Sequence, residues 1–179
     1  EEIYYPAKDA IFYSADVHGN QITGERLRCI SRIINHSSTG EGVLTVVTTM
    51  DGIADRLIPV ERFKEAVITL DYSSEIEPEK LAKKLVAMGF VRTGMVEDKG
   101  QFAIRGGIID IFSYTDEAPV RIELWDTEVD SIRMFDVESQ RSIERLQSYS
   151  IFPATEYIFT EDELKNGLYN IKEECDRQL

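Results

Sequence analysis

Two rhythms of apolar residues run along this chain. In "GERLRCISRIINH" (Gly24–His36), Leu27, Ile30 and Ile34 recur at helical spacing, which predicts a helix with one buried stripe. Residues 1–23 before it read as irregular, with "HGNQ" as a turn signal. "SSTGEG" is a loop, and "VLTVVTT" (Val43–Thr49) is a continuous β-branched run, the pattern of a strand buried on both faces. "MDGIADRL" predicts a short helix stopped by Pro59. Helix, buried strand, helix is how part of an open α/β sheet reads. After Pro59 the pattern changes. "ERFKEAVITLD" (Glu61–Asp71) alternates in its second half and predicts a strand. "EPEKLAKKLVAMGF" predicts a helix with Pro78 in the first turn, Leu81, Leu85 and Met88 as its buried stripe, and Gly89 as C-cap. Short alternating runs follow: "FVRTGMVE", "GQFAIRG", "GIIDIFS", "VRIELWD", "SIRMFD" and "SYSIF", with "EDKG", "SYTDEAP", "DTEVD" and "DVESQRS" among the turn segments. Residues 62–153 therefore read as a helix packed on a mostly antiparallel sheet. Pro153 closes that unit. "FTEDELKNGLYNIKEECDRQL" then opens with a capping box, Thr160 with Glu163, and carries Leu164, Leu168 and Ile171 as a stripe. This last helix is assigned to the first segment or to further chain.

Alternation also decides which residues of the sheet point outward. In "VRIELWD", Val120, Ile122 and Leu124 make the core face and Arg121, Glu123 and Trp125 the other. In "QFAIRG", Phe102 and Ile104 oppose Ala103 and Arg105. In "SIRMFD", Ile132 and Met134 oppose Arg133 and Phe135. Three arginines and two aromatics thus fall on one outer face, and Arg and Trp are residue types enriched at binding hot spots. Spacing alone leaves two readings open. One is an interface. The other is an ordinary wet sheet face, with Trp125 covered by the terminal helix or a loop.

The candidate chemistry narrows the choice. The 179 residues suit one ordinary domain or two small ones, and 42% hydrophobic content supports a packed core. A formal net charge of −13 repels phosphate backbones overall, which disfavours nucleic-acid binding by the whole chain. The dipeptide Gly-Lys never occurs, so no phosphate-cradling P-loop exists. Asp110, in "GGIIDIF", mimics a magnesium-binding aspartate at a strand end, but alternation accounts for it as an outward residue. "GQFAIRGG" is not a dinucleotide fingerprint, and Gly106-Gly107 reads as a tight hairpin or bulge. His18 lies in a turn context, and neither it nor His36 neighbours a nucleophile motif. Cys29 and Cys175 read as free thiols, and no metal-ligand spacing appears. No apolar run reaches the roughly 20 residues of a membrane span, and no signal peptide is visible. The chain begins with Glu and reads as a piece of a longer protein. No catalytic constellation is found.

"GQFAIRGGIIDIF", "VRIELWDTEVDSIRMFDVESQRSIERL" and "IFPATEY" resemble the homology module shared by excinuclease UvrB and the bacterial transcription-repair coupling factor. The similarity covers about residues 78–157 and is weaker on either side. "MVEDKGQFAIRGGIIDIF" and "FDVESQRSIE" are more similar to the coupling-factor branch. UvrB carries a DNA-gripping β-hairpin before the first helix; here only a short link joins "YYP" to "ERLRCISRI". The resemblance implies an α/β fold: residues 1–62 ending a degenerate helicase-like (RecA-like) lobe, residues 63–153 an inserted α+β domain docking on excinuclease UvrA, and residues 154–179 resuming the lobe. It implies docking through two arginines and an aromatic, which by motif are Arg105, Arg121 and Trp125. The family more often has Phe at the last. With Arg133, placed on the same face by alternation, these are the candidate partner-binding residues. The resemblance further implies no cofactor in this segment, with ATP and magnesium serving a translocase motor elsewhere in the full-length protein. RNA polymerase and DNA would be contacted through other domains, in the cytoplasm and away from membranes. The alternative is a fragment of UvrB, a DNA-damage-binding ATPase, without its motor motifs.

Overall fold

The computed structural model describes residues 1–8, 17–40, 42–55 and 57–178, a mixed α/β chain whose sheets are mostly antiparallel. The first segment is a parallel crossover. β1 (Glu2–Tyr5) leads through α1 (Val17–Thr39) to β2 (Thr45–Thr48), which pairs with β1 in parallel. Two expectations change here. "HGNQ" lies inside α1, because a nucleated helix gains a hydrogen bond for each residue it adds and runs back through a turn-prone stretch. The irregular reading of residues 1–23 fails at β1 and α1, while residues 9–16 and the His18 side chain lie outside the described residues. β2 is not buried on both faces. Its sheet has two strands, and Val46 and Val47 are exposed.

α2 (Met50–Ala54) is capped by the Thr49 hydroxyl, which accepts from the Gly52 N–H at 3.2 Å. α3 (Val60–Ala66) takes the first half of the stretch read as a strand; β3 (Ile68–Asp71) is the alternating second half. α4 (Pro78–Ala87) matches its expected stripe, with Leu81, Leu85 and Met88 buried and Gly89 at φ +89° after its C-terminus.

The six-stranded sheet has the order β4 (Val91–Arg92), β5 (Gln101–Arg105), β6 (Ile108–Phe112), β7 (Val120–Trp125), β8 (Glu128–Phe135), β9 (Ser142–Arg145). All neighbours are antiparallel except β4 and β5. β9 has no counterpart in the apolar pattern: all four of its residues are exposed, so it carries no alternation to read. Gly106-Gly107 forms the β5–β6 turn as expected. β10 (Ser148–Ile151) does not continue the meander. It returns to β3, with Ile151 opposite Ile68. The inner sheet face (Phe102, Ile109, Ile111, Val120, Ile122, Ile132) packs on Leu81 and Leu85 of α4 and on Leu70, Tyr149 and Ile151 of the β3–β10 pair.

Leu27 and Ile34 of α1 pack with Phe63 and Phe152, Tyr114 joins this unit to α1, and Arg26 joins α1 to the segment after Pro153. The Tyr114 ring fits between Gly24 of α1 and Gly100. A Cβ at Gly24 would lie 2.8 Å from Tyr114 Cδ1, and one at Gly100 would lie 2.9 Å from Cε2. Arg26 is fully buried. Its Nε and Nη2 donate to Glu156 Oε1 and Oε2 at 2.7 and 3.0 Å, its Nη1 donates to the Pro6 carbonyl at 2.7 Å, and its guanidinium lies 4.2 Å from the Tyr5 ring centre. α5 (Glu161–Gln178) begins at the expected capping box: Glu163 N donates to Thr160 Oγ1 at 3.2 Å, and Thr160 N donates to Glu163 Oε2 at 2.9 Å. Its stripe residues Leu164, Leu168 and Ile171 are exposed. Cys29 is buried and Cys175 exposed, and both are free thiols. Among the described residues no helix is long and apolar enough to cross a membrane.

Removing one side of a buried ion pair strands the other charge. Arg26→Met is expected to cost about 3 kcal/mol, read as a lowered urea midpoint; an unchanged midpoint would show that Lys8, 3.1 Å from Glu156, satisfies that carboxylate alone. A second expectation concerns pH. Burial, then the charge of Asp116, hold the Tyr149 phenol well above its ordinary value, while its hydroxyl donates to Asp116 Oδ2 at 2.5 Å. The folded chain therefore keeps this proton where unfolded tyrosine loses it, near pH 10. The contribution is fully present below that pH and is lost above it, at about 1.4 kcal/mol per pH unit. Urea titrations between pH 9 and 11 should show wild type losing stability more steeply than Tyr149→Phe.

Candidate functional site

The outer face of the six-stranded sheet is built as four rows across the strands, fixed by register. The first row holds Gln101, Phe112, Phe135 and Ser142; the second Ala103, Asp110, Arg121, Arg133 and Arg145; the third Arg105, Ile108, Glu123 and Ser131; the fourth Trp125 and Glu128. The two-residue turns at Gly106-Gly107 and Asp126-Thr127 bring the third and fourth rows to one end of the sheet.

The face is not uniformly open. Along its first two rows, Val96 and Val137 pack with Ala103 and Phe112 in a second small core. The Lys99 ammonium sits 5.3 Å from the Phe112 ring centre. Phe135, placed outward by alternation, is buried, with the Arg121 guanidinium 4.3 Å from its ring centre. The expectation of a bare face with two accessible aromatics is therefore corrected. Apolar residues of the 93–99 and 136–141 loops cover the first rows, and Trp125 is the aromatic left in solvent.

Asp110 organises the second row. Its side chain is 1% exposed, and an ionised carboxylate at such a position needs charged donors. Arg121 supplies a bidentate pair, Nε to Oδ1 at 2.7 Å and Nη2 to Oδ2 at 2.9 Å, and Arg105 Nη2 adds a third bond to Oδ2 at 2.6 Å. The bonds to Asp110 raise the Arg121 pKa further, against the opposing effect of burial, so its charge is permanent. Arg121 Nη2 also donates to Gln140 Oε1 at 2.9 Å. Arg133 is ion-paired with Glu123, whose Oε2 accepts from Ser131 Oγ at 2.8 Å.

The four candidate residues thus share one face but differ in access. Trp125 is 80% exposed, so neither α5 nor a loop covers it. Arg105 is 43% exposed at the side chain, Arg133 28%, and Arg121 only 15%. Sequence reasoning misses Asp110 and Gln140 as organisers of the face. Asp110 stands in the same outward set as Arg121, and pairing β6 with β7 would have joined them. Gln140 sits in a turn that offers no periodic signal. Among the described residues no group of three or more His, Cys, Asp or Glu side chains could hold a metal ion. A cleft of about 960 Å³ borders the first row at Gln101 and is lined by Arg28, Gly89, Lys99, Tyr114 and Tyr157 among others. The face itself is a flat surface with one indole standing out and arginine edges beside it, which suits a macromolecular partner better than a small ligand.

Residues 68–157 match the family model of the UvrB interaction domain. Over 169 residues the chain is 42% identical to the transcription-repair-coupling factor of Bacillus subtilis (strain 168), covering 94% of this chain and 14% of that protein. It is 37% identical over 187 residues to the transcription-repair-coupling factor of Staphylococcus aureus (strain MRSA252), covering the whole chain and 16% of that protein. It is 38% identical over 166 residues to that of Staphylococcus haemolyticus (strain JCSC1435), covering 92% of this chain and 14% of that protein. The chain spans a small part of the length of these relatives.

The ion-pair row yields an expectation about folding. Arg121→Glu sets a carboxylate against the buried Asp110, so it is expected to destabilise the chain by about 3–5 kcal/mol. The double variant Arg121→Leu with Asp110→Leu removes both charges and should recover most of that loss. Thermal melts of the three proteins decide it. A double variant as unstable as Arg121→Glu would mean that packing, not charge, dominates the site.

Proposed function

The chain belongs to the UvrB interaction domain family, in the form carried by the N-terminal region of transcription-repair-coupling factors, and we propose that it is a non-catalytic docking module that recruits excinuclease UvrA to stalled transcription complexes. Contact is through the open rows of the sheet. Trp125 is the apolar anchor, Arg105 supplies an accessible fork, Arg121 a held guanidinium, and Arg133 a charge at the margin. In this reading residues 63–153 are the inserted docking domain, and residues 1–62 and 154–179 belong to a degenerate helicase-like lobe. The motor, with its ATP and magnesium, and the contacts to RNA polymerase and DNA lie in other parts of the full-length cytoplasmic protein. The relatives matched are transcription-repair-coupling factors, which favours this reading over a fragment of excinuclease UvrB.

One observation carries the proposal: an indole that is 80% exposed, at the open end of a sheet face beside a half-exposed arginine. A solvated tryptophan contributes little to its own fold, and Trp and Arg are the residue types that dominate binding hot spots. A standard interface of roughly 800 Å² per partner fits a sheet face of this size.

Trp125→Ala should leave the melting temperature of the chain unchanged. It should weaken binding to purified UvrA by about 2 kcal/mol, close to 30-fold in Kd by titration calorimetry. Wild-type affinity in this variant would overturn the assignment of the face.

A further inference from the structure

Gln140 holds a left-handed backbone, φ 57°, in the loop between β8 and β9. Glycine adopts that conformation without strain; glutamine does so at a cost. The loop does not need the Gln140 amide oxygen for its own shape. Ser139 N and Oγ both donate to Asp136 Oδ1, at 2.8 and 2.6 Å. Gln140 N donates to the Asp136 carbonyl at 2.8 Å, and Asp136 N donates to the Arg141 carbonyl at 2.9 Å. Yet both ends of the Gln140 amide are fixed. Nε2 donates to the Val137 carbonyl at 2.8 Å, and Oε1 accepts from Arg121 Nη2 at 2.9 Å. An unfavourable dihedral, retained together with a side chain aimed at one arginine, points to a role outside the loop.

Arg121 is enclosed on three sides: Asp110 holds Nε and Nη2, Phe135 lies against the guanidinium plane, and Gln140 takes the second proton of Nη2. Nη1 is the guanidinium nitrogen without a hydrogen bond among the described residues, and it is not an orphaned buried group. We propose that Gln140 is a positioning residue of the docking face: it fixes the Arg121 guanidinium so that its Nη1 edge is presented to an acceptor on the partner. This rests on the reading that the face docks UvrA. A long side chain ordered before contact loses less conformational freedom on binding than one ordered by the partner. Gln140 therefore acts on affinity through Arg121, without touching the partner itself.

The test compares Gln140→Gly, Gln140→Glu and Trp125→Ala in the full 179-residue chain. Each is measured for melting temperature and for affinity to purified UvrA. Gln140→Gly relieves the left-handed strain, so its melting temperature should equal or exceed that of wild type, while its Kd rises about fivefold because the Arg121 side chain must then be ordered on contact. Gln140→Glu keeps an acceptor oxygen for Arg121 and should recover most of the affinity. If Gln140→Gly binds as tightly as wild type while Trp125→Ala does not, the positioning role is overturned and the docking reading stands. If Trp125→Ala binds like wild type, the docking reading itself falls. A lower melting temperature in Gln140→Gly, or no recovery in Gln140→Glu, makes the residue merely structural and also overturns the proposal.

Discussion

The outer face of the sheet depends on one buried carboxylate. Asp110 sits in the middle of β6, closed off from water, and its negative charge is tolerable there because two guanidinium groups converge on it. That requirement fixes much else. It holds Arg121 over the Phe135 ring, on a face that alternation assigns to solvent, and draws Arg105 across the β5–β6 hairpin. The same charges that a partner would read are thus already committed within the fold. Arg121 and Asp110 form a preformed platform, and the accessible elements, Trp125 and the outer part of Arg105, stand at its edge. A surface organised in this way separates two tasks. The ion pairs set geometry, and the exposed indole supplies area to be removed from water.

The inside–outside division of the sheet is legible in the chain, because strand alternation is a geometric property that tertiary context seldom reverses. It puts Arg105, Arg121, Arg133 and Trp125 on one face, and that is where they lie. The helix at Pro78–Ala87 and the capping box at Thr160 are legible for the same kind of reason: each is a local pattern with its own hydrogen-bond logic. Access is not legible. Facing outward is not the same as being wet: the cover over Ala103 and Phe112 comes from Val96 and Val137, single apolar residues in loops with no periodicity, and Phe135 lies under the Arg121 guanidinium. The β-branched run at Val43–Thr49 shows the reverse error. Composition suggests burial, but burial needs neighbouring layers, and the β1–β2 pair leaves its valines exposed. β9 escapes notice because an exposed edge strand needs no apolar pattern to pair through its backbone. β10 reads as one more strand of the meander because pairing partners distant in sequence leave no local trace.

In the proposed reading, the indole that anchors docking stands apart from the folding core. The inner face and α4 form a core that would persist whatever happens at Trp125. Tyr114 between two glycines holds the sheet to α1, and Arg26 with Glu156 holds α1 to the segment after Pro153. In that reading substitutions at the indole would report on recognition alone, whereas substitutions in the Asp110 row would report on recognition and folding together.

The pairing of β3 with β10 also bears on how such a chain is assembled from parts. Ile68 and Ile151 face each other where the six-stranded unit begins and ends, so more than eighty residues leave and rejoin the surrounding fold at a single point. In the proposed division the inserted domain thus enters and leaves the surrounding chain through two adjacent strands, and it meets α1 through Tyr114 and Phe152.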